Sequence, residues 1–298
     1  MNLCRVAVLL LVALPASVSV HAQIPFYTDD TGVTEPGTLH VEAFDEIDVL
    51  PSSHYPDVRQ NTVNLKVNVG LPHGFELDVD APYLTIDRAD GAQDSRGVGD
   101  LNMGVKWSAG QPPANSRLPS FALSFYVEFP TGDARDELGS GLVDYWLNFI
   151  AQMPVSDHTR FNVNAGVLFA GNTSTGVVGI ETRRGHVFAG GLSVLHDVSA
   201  RLTIGAEVYG GVSDTDGLDR TQLQTMLGAQ YAIRDGLAIS FGFIAGTYAA
   251  SPRIGGQIGI AMDFPNTFGS PGRPLDGLTA EALAGPRRQF SARNAGDL

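Results

Sequence analysis

The sequence predicts an all-β fold, a transmembrane antiparallel up-and-down β-barrel of about twelve strands, with short periplasmic turns and longer external loops. Three observations carry this. Apolar and polar residues alternate with period two along most of the chain. Tight turns take turns with long, polar, Gly- and Asp-rich connections, and aromatic residues gather at the two ends of the apolar face.

The N-terminus comes first. MNLCRVAVLLLVALPASVSVHA places Arg5 ahead of an apolar run from Val6 to Leu14, then Pro15 and a Val20-His21-Ala22 cleavage pattern, so residues 1–22 read as a secretory signal peptide. Cleavage removes Arg5 and the sole cysteine, Cys4, leaving 18 basic and 32 acidic residues, a net charge of −14 (−13 less the one positive charge of Arg5) and no thiol. An exported chain without disulfides has to be held by its core or by its barrel. Residues 23–36 form an N-terminal periplasmic segment, and its entry into the lumen is left open. No run of about 18 apolar residues follows the signal, which argues against a helical membrane span.

Twelve alternating segments follow, at 37–49, 58–70, 74–86, 99–109, 120–131, 141–153, 159–170, 185–196, 200–211, 221–233, 236–248 and 254–264. In VNLKVNV, Val63, Leu65, Val67 and Val69 oppose Asn64, Lys66 and Asn68. FELDVDAPY sets Phe75, Leu77, Val79, Ala81 and Tyr83 against Glu76, Asp78 and Asp80. In LNMGVKW, Leu101, Met103, Val105 and Trp107 oppose Asn102, Gly104 and Lys106. LPHG, PVSDH, HDVSA and RDG are the tight turns, with a longer Pro-rich link after the fourth segment, whereas DRADGAQDSRG, TGDARDELGS and VSDTDGLD lie at the other end. Strands of this length exceed the five or six residues usual in a soluble sandwich, which with a lipocalin-like barrel is the competing fold. With the N-terminus in the periplasm, Phe75, Trp107, Phe121, Phe161, Tyr231 and Phe264 fall at the lower ends of the apolar face, and Tyr83, Phe129, Tyr145 and Phe169 at the upper ends. A soluble sandwich has no reason to sort aromatics by strand end.

The polar face then lines the lumen. Its expected pore-lining residues are Lys66, Glu76, Asp78, Asp80, Asp100 and Lys106 from the second to fourth segments, Tyr126, Glu128, Asp144 and Trp146 from the next two, and Glu207 and Tyr209 further on. Carboxylates outnumber the two lysines of the whole chain, which favours cations in a water-filled interior. Side chains that merely brace one another inside a closed barrel are the alternative, since twelve strands fall between filled eight-stranded barrels and open sixteen-stranded porins. Low basic content excludes a nucleic-acid binder. Outer-membrane lipid and a small-molecule solute are the expected partners.

The runs GVGDLNMGVKW, FALSFYVEFPTGD and LGSGLVDYWLNFIAQ, with TDDTGVTEPGTLHVE near the start, resemble the transporter-like outer-membrane proteins named for the MetA pathway of phenol degradation. The resemblance covers about Thr28 to Phe264. It implies an outer-membrane barrel passing aromatic or other hydrophobic compounds, and brings no catalytic residue.

Residues 265–298 lie beyond the strand that closes on Phe264 and read as a disordered periplasmic tail, in which LTAEALA could form a short helix. Catalytic chemistry finds no purchase. Ser193 and His196, three apart on a strand, point to opposite faces. His186 and His196 are too far apart to share a metal, and His40 with Glu42 lacks a third ligand. SDTDGLD lacks the terminal bidentate glutamate of a calcium loop, so neither metal nor cofactor is expected. The function that follows is passive uptake of small compounds through a channel, with a non-conducting structural or adhesive barrel second and an outer-membrane enzyme third.

Overall fold

A computed structural model describes residues 25–112, 116–170, 184–214 and 221–268. Residues 1–24, where a signal peptide is expected, the link at 113–115, parts of two loops and nearly all of the tail lie outside these residues. Within them the alternating segments form strands: β1 (Leu39–Val49), β2 (Asp57–Leu71), β3 (Phe75–Arg88), β4 (Ser95–Val98), β5 (Leu101–Ser108), β6 (Ser120–Phe129) and β7 (Asp144–Pro154). The second half comprises β8 (Thr159–Ala170), β9 (Gly185–Ser199), β10 (Leu202–Ser213), β11 (Gln222–Arg234), β12 (Leu237–Gly246) and β13 (Ile254–Phe264).

Apart from β4 and β5, each strand pairs antiparallel with its neighbour in the chain, and β1 pairs with β13 from Leu39↔Phe264 to Val49↔Ile254, closing the ring. The β4 and β5 pieces both lie against β3 and act as one stave, so the barrel has twelve staves. Periodicity predicts this stave as one strand starting at residue 99. Its upper piece was missed because SRGVGD reads as loop, and the strand breaks at Gly99-Asp100, where the Asp100 carboxylate leaves the ladder to bind a neighbouring loop. Other boundaries fall within a few residues of those expected from periodicity.

The two faces are reversed relative to a water-soluble protein. Val63, Leu65, Phe125 and Leu147 point outward and are 45–48 % exposed, whereas Glu42 and Asp144 point inward and are 1 % exposed. An apolar exterior suits hydrocarbon, and the pairing of β1 with β13 closes the ring so that neither terminal strand presents an unpaired edge to lipid. The belts stand where parity places them: Phe75, Trp107, Phe121, Tyr231 and Phe264 are exposed at one end and Tyr83, Phe129, Tyr145 and Phe169 at the other, with Phe161 half-buried. Phe121 stacks on Phe149 and Phe125 on Tyr145 across β6 and β7, ring centroids 5.8 and 6.4 Å apart.

Candidate functional site: the lumen and its strap

Register sets the inward side chains in rows across neighbouring strands. One row runs Asp263, His40, Asn68, Asp78, Gly104, Tyr126, Trp146, Leu168 and Val187 from β13 to β9. Gly104 matters here. A Cβ at this position would lie 2.1 Å from Tyr126 Cδ1, so only glycine lets the ring lie across β5 and its hydroxyl donate to Asp78 at 2.7 Å on the far strand. The next row up holds Glu42, Lys66, Asp80, Asn102, Glu128 and Asp144.

Lys66 stands among the carboxylates of Glu42, Asp80, Asp78 and Asp29. Asp80 accepts from Asn64 Nδ2 at 2.9 Å. Glu128 accepts from Asn102 and faces Asp144 and Asp100, an acidic group near the outer rim. Asp100 itself accepts backbone N–H groups from Gly132 at 2.9 Å and Ser140 at 2.8 Å. The GVGD, PTGD and LGSG motifs thereby form one unit, which seats Leu138 against Leu84 and Ile86 inside the mouth. At the lower seam His40 bridges Asp263 at 2.5 Å and Glu42 at 3.0 Å.

The lumen is occupied. The segment 25–36 turns in at the lower end, where the Gly37 and Thr38 backbone pairs with Gly70, and crosses the interior as a strap. Thr34 N donates to Glu76, Thr31 Oγ1 shares a hydrogen bond with Ser120 Oγ, and Lys106 Nζ donates to Asp29 at 2.6 Å. The Asn164 amide pairs with the Asp29 backbone, accepting from N at 2.8 Å and donating to O at 3.0 Å. Both carboxylate oxygens of Glu207 accept from the backbone N–H groups of Tyr27 and Thr28. The far end of the strap lies on a row of inward glycines, Gly205, Gly228 and Gly242. A Cβ on Gly228 would lie 2.5 Å from Pro25 Cγ, and one on Gly205 2.7 Å from Phe26 Cζ. Bare backbone is what allows this approach.

All twelve expected lining residues belong to the inward face or, for Asp100, to the rim, and the strap is hydrogen-bonded to Glu76, Lys106 and Glu207 among them. Tyr209 packs under Tyr27, and Trp146 joins them in an apolar cluster with Leu168, Val187 and Ala189. The sequence leaves the strap's place undecided and does not mark Glu46 and Asp48 as lining residues. The carboxylates share the parity of His40 and Glu42, and Phe44 between them broke the polar pattern. The strap left a fainter mark in the aligned glycines. Ser193 is buried inward beside Asn162 while His196 lies outside against Thr159, as parity requires. At the outer rim His186 donates its backbone N–H to Asp214 and sets its ring 2.8 Å from the same carboxylate, which holds Asp214 below the usual carboxylate range.

A family model described as "Putative MetA-pathway of phenol degradation" matches residues 52–264, well over half of the chain. The chain belongs to this family. No curated protein matches the chain. Among solved structures, this MetA-pathway family member is similar to an outer-membrane channel from Pseudomonas putida F1, at 12% identity and a TM-score of 0.58, covering 79% of this chain and 98% of that one. It is also similar to the KdgM porin, at 10% identity and a TM-score of 0.51, covering 76% and 99%. At these identities the likeness is one of fold.

Proposed function

We propose that this MetA-pathway family member is a passive channel in the outer membrane that admits small compounds down their gradients. The observation behind it is the inversion of the closed barrel: an apolar, belt-bounded exterior around an interior lined with carboxylates, amides and aromatic rings. A barrel that only needed filling would pack apolar side chains without the several kcal/mol that buried charge costs, which supports a solvated path. In this reading the leader 1–22 directs export, and the pore is lined by Lys66, Asp80, Glu128 and Asp144 in the upper row and by Glu76, Asp78, Lys106, Tyr126, Trp146, Glu207 and Tyr209 at the level of the strap. Asp100 shapes the rim. Carboxylates of the lumen and strap outnumber Lys66 and Lys106, which gives a preference for cations. The family's association with phenol degradation supports small aromatic solutes, which pass without carrying current, and no catalytic step is assigned to any residue.

The strap favours one other reading, a non-conducting barrel whose interior is braced rather than open. Planar-bilayer recording of the refolded mature protein separates the two. Cation-preferring conductance, or uptake of a small aromatic compound into vesicles, is the expected outcome. Absence of both supports the braced barrel, and anion-preferring reversal potentials overturn the acidic pore.

A further inference from the structure

The strap's Tyr27 is a phenol held inside the barrel by groups that belong to the barrel. Its ring lies on Tyr209, with centroids 5.7 Å apart at 31°, and packs against the buried cluster of Leu168, Val187 and Ala189 with Trp146 alongside. Its hydroxyl donates to Glu46 Oε1 at 2.5 Å. Glu46 is held in place by Gln257 Nε2, which donates to its second oxygen at 2.8 Å, and by a hydrogen bond with the Asp48 carboxyl. An apolar slot closed at one end by an oriented carboxylate recognises a flat ring with a single hydroxyl donor. Hydrocarbon rings without the donor leave the Glu46 oxygen unanswered in a buried setting, and that loss is larger than the gain from the hydrogen bond itself. Tyr27 is only half-buried, although every group it touches in the cluster except Trp146 is buried, so one side of the slot is open.

We propose that this slot is a binding site for monocyclic phenols, occupied in the resting protein by Tyr27 as a tethered ligand. A free phenol competes with Tyr27 for Tyr209 and Glu46, and its binding is coupled to displacement of the strap's inner end. The inference rests on the channel reading for its physiological sense. The site itself is testable without transport.

The test is calorimetric titration of p-cresol, the side chain of tyrosine as a free molecule, into the refolded chain in micelles, with blank micelles subtracted. Tyr27→Ala empties the slot, and p-cresol is expected to bind it at least about tenfold more tightly than toluene, the same ring without the hydroxyl. Glu46→Gln in the Tyr27→Ala background is expected to reduce that preference. Tyr27→Phe, which keeps the slot filled, is expected to bind p-cresol more weakly than Tyr27→Ala. Equal binding of p-cresol and toluene, or no binding to the emptied slot, overturns the proposal. A second measurement uses the unmodified chain: p-cresol, but not toluene, should speed chymotrypsin cleavage after Phe26 and Tyr27, read by intact mass, and an unchanged rate overturns the coupling. Failure of these experiments with conductance intact removes the phenol site alone, whereas binding without conductance or uptake removes the channel.

Discussion

Lys106→Met probes what keeps the strap in place. The side chains of Lys106 and Asp29 are 5% and 11% exposed, and Nζ and Oδ1 stand 2.6 Å apart. Removing one partner of such a pair strands the other charge in a poorly solvated interior, at a cost of about 3–5 kcal/mol. The low end applies, because Lys66 remains within Coulombic reach of Asp29. About 3 kcal/mol lowers the ratio of docked to undocked strap by about a hundredfold. The hydrogen bonds to Glu207, Glu76 and Asn164 remain, so the docked state can still dominate. The sensitive assay is therefore chymotrypsin cleavage after Phe26 and Tyr27, whose rate follows the undocked population when docking is fast relative to cleavage. Lys106→Met should be cut about a hundredfold faster than the unmodified chain, in proportion to the undocked ratio. Adding Asp29→Asn removes the stranded charge and should recover most of the protection. A single variant cut at the unmodified rate, or a double variant cut as fast as the single, would refute the claim that this pair fastens the strap.

Three further outcomes follow from the two faces of the barrel and from its rim. Val127→Glu puts a carboxylate against lipid beside Phe125 and Phe129 and should lower the yield of folded, heat-modifiable barrel in vesicles, whereas Glu128→Gln, one residue on, should leave folding intact and shift the reversal potential away from cations. Gly104→Val drives a side chain into the space of the Tyr126 ring and separates its hydroxyl from Asp78, which should cost about 1–3 kcal/mol in a urea unfolding titration, while Tyr126→Phe should lose less. Asp100→Ala leaves the N–H groups of Gly132 and Ser140 without their acceptor and should release the loop carrying Leu138, seen as faster tryptic cleavage after Arg135 in the folded barrel.

The division of the chain into strands, their number to within one interruption, and the face each residue takes were all legible in the sequence, because period two is local: once Val63 is outside, Asn64 must be inside. Phe121 and Phe129 could be assigned to opposite belts for the same reason, as could the inward aim of Glu128 and Tyr126. Local pattern does not report which inward residues meet. Asp78 and Tyr126 are 48 positions apart and touch only because Gly104 lies between them in the closed register. Apolar inward residues such as Leu168, Val187 and Met226 were also hidden, since a strand apolar on both faces carries no parity. The strap is the largest gap. PFYTDDTGVTEP has the composition of a loop, and its place in the lumen is decided by partners far along the chain, Glu46, Lys106, Asn164 and Glu207, that come together only when β1 meets β13 and the barrel closes around it.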